Sequence, residues 1–155
     1  HAAFERCCGA ARWVRAMVAA RPFATVEALH AEAEHSADAL GHDDWLEAFA
    51  HHPRIGDAGA LRERFAGTAA WAGAEQAGAT SASEATLRAL AEANRAYEAR
   101  FGYIFVVCAT GRSAGEMLAL LRARLGNDPG RELDVAAGEQ RKITRLRLEK
   151  LLAGD

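Results

Sequence analysis

The chain has 155 residues, half of them apolar, which is enough for one domain with a buried core. Its 19 basic and 21 acidic side chains nearly cancel, which argues against a partner such as nucleic acid or anionic lipid and favours a small molecule. Cys7, Cys8 and Cys108 make no secreted disulfide framework, no charged-then-apolar leader opens the sequence and no apolar run reaches the roughly 18 residues of a membrane span, so a reduced, cytosolic protein is expected.

The pattern along the chain is all-α, a single-domain multi-helix bundle over residues 1–155, with one segment of strand-like composition. Residues 2–8 and 10–20 read as two short helices divided at Gly9, with Pro22 as a stop. Thr25 is a candidate N-cap for a third helix running to about Leu40. A fourth, capped by Asp43 or Asp44, turns Trp45, Leu46 and Phe49 inward and ends before Pro53, whose ring disfavours a helical residue ahead of it. Asp57 and Thr68 are candidate caps for short helices over 58–66 and through Glu75 and Gln76.

Ser81 and Glu84 match the capping box ahead of a long helix, on which Leu87, Leu90, Ala91, Asn94, Tyr97 and Phe101 form one stripe with Asn94 as its polar member. The apolar run from Tyr103 to Cys108 reads as a buried, partly extended connector. Ser113 and Glu116 form a second capping box, for a helix ending near Gly126. Residues 127–130 read as a turn, and the last helix runs from about Glu132 to Leu152.

Three places carry candidate chemistry. His52 lies where a helix breaks at Pro53, and a histidine at such a break either serves as acid or base near neutrality or fills a polar corner. Glu75 stands one turn from Trp71 in a stretch of small residues, where a carboxylate is raised in pKa or paired, unless that helix simply exposes it. Arg147 lies four residues from both Ile143 and Leu151 and so points inward, where its charge needs an anionic or carbonyl partner. Arg141, Lys142, Arg145 and Lys150 read as a solvated face. The histidines between His30 and His52 lack metal-ligand spacing, and the cysteines read as packing residues, so no metal is expected.

Taken in order, Cys7-Cys8-Gly9, Arg12-Trp13-Val14, Arg21-Pro22-Phe23, His52-Pro53-Arg54-Ile55-Gly56, Glu75-Gln76-Ala77-Gly78, Arg100-Phe101-Gly102-Tyr103-Ile104-Phe105 and Ile143-Thr144-Arg145-Leu146-Arg147-Leu148 resemble the 2-oxo-4-hydroxy-4-carboxy-5-ureidoimidazoline (OHCU) decarboxylases of urate degradation. The resemblance implies an all-helical protein, often a homodimer, that yields (S)-allantoin. It places His52 and Glu75 on the catalytic positions and Pro53, Ala72, Gln76, Ile104, Phe105, Val106 and Arg147 on positions that hold substrate. Ala72 departs from the family's usual serine, which removes a hydroxyl from that position.

The implied substrate carries its carboxylate beside a carbon–nitrogen double bond that can take the released electrons, so no organic cofactor or metal is expected. Two other readings stand beside this one: a helical interaction module that kept the fold without the chemistry, and a decarboxylase for a related ureido acid. A metal hydrolase built on the histidine-rich stretch is a third.

Overall fold

The structure, a computed structural model, describes residues 1–54, 59, 61 and 77–154, with 77–83 described by their backbone alone. The described residues form seven helices and no strand: α1 Ala2–Cys7, α2 Ala11–Ala19, α3 Val26–Asp38, α4 His42–Ala50, α5 Ala77–Phe101, α6 Ala114–Leu125 and α7 Pro129–Ala153. The expected all-α class holds. Among the described residues no helix is long and apolar enough to cross a membrane. Of the two short helices expected between 58 and 76, all but Gly59 and Leu61, both helical, lies outside the described residues. Contacts divide the chain into two compact units, one of His1–Pro53, Val106–Cys108 and Leu133–Asp155, the other of Arg54–Phe105 and Ala109–Glu132.

In the first unit α2 is the hub, packing on α1, α3 and α4. Its buried face is Trp13, Val14 and Met17, and the Trp13 indole N–H donates to the Ala33 carbonyl of α3 at 2.9 Å, so this large ring is buried without an orphaned donor. Thr25 caps α3 as expected, its hydroxyl accepting from the Ala28 amide at 3.0 Å. The N-cap of α4 is Gly41 and neither aspartate. Asp44 sits at the third helical position and reaches back to accept from the Gly41 amide at 2.9 Å, which leaves the cap itself free to lack a side chain. Glu47 of α4 accepts from the Ala11 amide at 3.0 Å, placing a carboxylate on the positive end of α2 and fixing where α4 leads.

In the second unit α5 and α6 pack along each other. Leu87, Leu90, Ala91 and Tyr97 are buried as the stripe requires, and Asn94 is reconciled with that face by donating to the Leu90 carbonyl one turn back at 2.9 Å. The helix already runs at Ala77, so Ser81 lies inside it; a capping box marks a start only where nothing upstream continues the helix. Ser113 and Glu116 do form the reciprocal box of α6. The segment after Gly102 has no regular secondary structure, and Phe105 in this unit and Val106 in the first are buried.

The last helix starts three residues earlier than the turn reading suggests. Pro129 occupies its first position, where the missing N–H costs nothing, and Asp128 accepts from the Arg131 amide at 3.2 Å. That early start brings Glu132 onto the first turn. Glu132 is fully buried, and accepts from the Tyr97 hydroxyl at 2.5 Å, the Arg124 guanidinium at 2.6 Å and the Asn127 amide at 2.9 Å. Arg124 also lies over the Phe105 ring, 4.5 Å from its centroid. Burial, with the bond to Glu132, pushes the Tyr97 phenol far up, so it stays a donor. Glu132→Ala is expected to cost about 3–5 kcal/mol in urea unfolding, because Arg124 is left charged and buried without its acid; a loss under about 0.5 kcal/mol, the size of a surface change, would contradict the network.

Candidate active site

The site is built where α4 ends. His51 closes the helix, and the His52 amide still donates to the Phe49 carbonyl at 3.1 Å, which holds the residue against the helix end just ahead of Pro53. His51 itself packs on Gly9: a Cβ there would lie 2.2 Å from the His51 ring, so the close approach of these two chain segments needs a glycine. This assigns His51 to packing and leaves His52 as the ring that turns inward.

The His52 ring is half-buried and both its nitrogens are engaged. Nε2 lies 2.5 Å from Oε1 of Gln140, a side chain only 1% exposed on the inner face of α7. An amide oxygen can only accept, so Nε2 carries the proton. Nδ1 is then the lone-pair nitrogen, and it faces Nη2 of Arg147 at 3.4 Å, a long contact. Burial lowers the pKa of His52 below its ordinary value; the bond to Gln140 opposes this, while the nearby charges of Arg147 and His51 add to it. The ring is therefore neutral at neutral pH.

Arg147 finds the carbonyl partner its inward position requires, donating from Nη1 to the Arg6 carbonyl at 3.0 Å. Beside it a groove of about 210 Å³ is lined by Arg6, Arg147 and Lys150 together with Ala3, Cys7 and Leu151. Three cations and no acid line it, a composition suited to an anion such as a carboxylate. Three other basic residues of α7 are paired: Lys142 with Glu139 at 2.6 Å, Arg145 with Glu149 at 3.3 Å, and Arg141 with Glu34 at 2.9 Å and Asp38 at 2.8 Å. Arg141 is thus a bridge to α3 and only partly solvated, a correction to its reading as part of an exposed face. The Cys7 and Cys8 thiols are buried and pushed up by that burial, which suits packing and disfavours a nucleophilic thiolate.

Of the residues singled out in the sequence, His52, Pro53, Val106 and Arg147 belong to the first unit, where His52 and Arg147 meet directly. Ile104 and Phe105 belong to the second. Ala72, Glu75 and Gln76 lie outside the described residues. Gln140 and its neighbour Thr144 escaped the sequence reading. The available signal was the one Asn94 gives: an uncharged polar side chain on an otherwise apolar helical stripe, here Ala136, Ala137, Gln140, Thr144 and Leu148, all buried.

A helical scaffold presenting a neutral, desolvated imidazole beside a cationic groove defines a protein equipped for general acid–base chemistry on an anion. The chain belongs to the OHCU decarboxylase family, whose model matches residues 1–149. It is 38% identical over 149 residues to the uric acid degradation bifunctional protein TTL of Arabidopsis thaliana, covering 95% of this chain and 45% of that protein, so it spans less than half the length of that relative. A 2-oxo-4-hydroxy-4-carboxy-5-ureidoimidazoline decarboxylase of Amia calva is 34% identical over 96% of this chain and 82% of its own length. Among solved structures, an OHCU decarboxylase crystallised in the presence of (S)-allantoin superposes with a TM-score of 0.76 at 35% identity, covering 97% of this chain and 96% of that one. An (S)-allantoin synthase shares the fold, with a TM-score of 0.63 at 18% identity over 96% of this chain and 48% of that one.

The depressed pKa has a definite sign in solution. Between the unfolded value of about 6.5 and the lower folded value, the unfolded chain binds a proton that the folded chain does not, so stability is lost as pH falls through that window. Nitrogen-15 NMR of the histidines should show His52 titrating below about 6.5, and Arg147→Gln, which removes a neighbouring charge, should raise its midpoint; a wild-type midpoint above that value would contradict the site's electrostatics.

Proposed function

We propose that this chain decarboxylates 2-oxo-4-hydroxy-4-carboxy-5-ureidoimidazoline to (S)-allantoin, with His52 moving the proton that sets the product's configuration. Membership of the OHCU decarboxylase family supports the reaction, and the neutral His52 ring with its Nδ1 lone pair beside Arg147 is the observation that carries the role.

The chemistry balances without an added electron sink. The carbon–carbon bond to the carboxylate breaks, carbon dioxide leaves, and the electron pair moves through the ring into the adjacent imine, whose nitrogen takes up one proton. The resulting enol loses its hydroxyl proton and gains one at the former imine carbon, giving the ring carbonyl and the new stereocentre. One proton is consumed overall. A neutral imidazole fits the last step, since it can accept the hydroxyl proton and return one to the neighbouring carbon from the same side. Arg147, with Arg6 and Lys150 in the same groove, would hold the anionic substrate with its carboxylate oriented.

Glu75 as a partner acid in proton transfer, and Gln76, Pro53, Ala72 and the backbone at Ile104, Phe105 and Val106 as substrate-holding positions, are proposals supported by the family motifs in which they stand. Ala72, without the usual serine hydroxyl, would leave one substrate contact to solvent or to a neighbouring group. The chain acting as one catalytic domain, assembled as a homodimer in the cytosol, completes the proposal on the same support.

Substrate generated in place from urate, followed by its decay and by circular dichroism of the product, provides the test. Wild type should give optically active (S)-allantoin well above the spontaneous rate, and His52→Ala should lose about 10² to 10⁴ of the enhancement. Wild-type decay at the spontaneous rate, with racemic product, would overturn the proposal.

A further inference from the structure

Both proton transfers proposed for His52 need one nitrogen with a free lone pair facing the substrate, and an imidazole free in water populates two neutral tautomers. A single tautomer must be imposed from behind the ring. Gln140 lies there, buried, with its oxygen on Nε2 at 2.5 Å. An amide can present either end, so Gln140 alone would not settle the matter; turned over, its NH₂ would favour a ring protonated on Nδ1.

The orientation is fixed one turn further along α7. The Gln140 amide nitrogen donates to Thr144 Oγ1 at 3.1 Å. Thr144 is itself buried. Its hydroxyl oxygen takes the amide's NH₂ end, which turns the amide oxygen toward the ring. The order of donation therefore runs in one direction: His52 Nε2–H to Gln140, then Gln140 to Thr144. Each member lies in the first unit.

We infer that Gln140 is a positioning residue, oriented by Thr144, which holds His52 as the Nε2–H tautomer so that Nδ1 is the nitrogen that exchanges protons with substrate. The inference rests on the proposed decarboxylation for its catalytic meaning, but the tautomer can be read without any reaction.

The experiment pairs nitrogen-15 NMR of the histidine rings with steady-state kinetics on wild type, Gln140→Leu, Gln140→Glu and Thr144→Val. In wild type above its pKa, the His52 resonances should place the hydrogen on Nε2. Gln140→Leu should mix the tautomers, lower kcat by about tenfold, the effect of about one net hydrogen bond, and leave KM within about twofold. It should also move the acid limb of the pH profile down, because the bond to Gln140 favours the protonated ring.

Gln140→Glu keeps an acceptor on Nε2 and can accept from Thr144, so it should restore the tautomer and move the acid limb up, since a carboxylate stabilises the imidazolium. Thr144→Val should mix the tautomers without touching the ring. A wild-type ring protonated on Nδ1, or a Leu variant whose tautomer and pH profile match wild type, would overturn the inference even if stability fell. A wild type with the Nε2–H ring that left substrate at its spontaneous rate would overturn the proposed reaction and, with it, the catalytic use of the tautomer.

Discussion

His52 Nε2 and Gln140 Oε1 meet at 2.5 Å, and the geometry of the first unit around them follows from the need to satisfy both. Gln140 is shut away from solvent on α7, so its oxygen must find a donor within the protein or cost about 1–3 kcal/mol. The donor comes from a residue 88 positions earlier, at the end of α4. For it to arrive there, α4 must end at Ala50, just ahead of His52, which Pro53 favours, and α4 must be held against α2, which Glu47 and the Gly9–His51 contact accomplish. Desolvation then does the electrostatic work. The ring is neutral because burial and the adjacent Arg147 both disfavour its charged form.

Charge is handled by the opposite strategy in the second unit. There Glu132 is buried and accepts from three donors, Tyr97, Arg124 and Asn127. An acid so fully occupied has nothing left to offer a substrate, and its place in the fold is structural: it ties α5 and the end of α6 to the first turn of α7. The two polar clusters share a lesson about burial. A buried polar group serves structure when every lone pair and hydrogen is used within the protein, and can serve chemistry when one lone pair, here that of His52 Nδ1, meets only a long contact such as Arg147 at 3.4 Å.

What could be read from the sequence was local. Thr25 and the Ser113–Glu116 pair are legible as helix starts because capping is satisfied within four residues. His52 is legible because Pro53 breaks the helix beside it, and Arg147 because the spacing of α7 turns it inward. The misreadings were also local, where two rules competed: Asp128-Pro129-Gly130 satisfies the composition of a turn and of a helix start, and the start won because proline fits the first helical position.

Ser81 satisfied the box without opening a helix, because α5 was already under way. Out of reach were pairings across long separations, His52 with Gln140 and Tyr97 with Glu132, since nothing near either residue announces its partner. The polar members of the apolar stripes, Asn94, Gln140 and Thr144, mark where such pairings occur without saying with whom.

If a neutral, desolvated His52 acts as the base, as proposed, the pH dependence of kcat/KM will show it, because that profile reports the ionisations of the free enzyme. A buried, neutral His52 predicts an acid limb of slope one centred below the ordinary histidine value of about 6.5, with more than half of the plateau activity remaining at that pH. A limb centred at or above that value would mean that the group governing catalysis is not a neutral, desolvated His52.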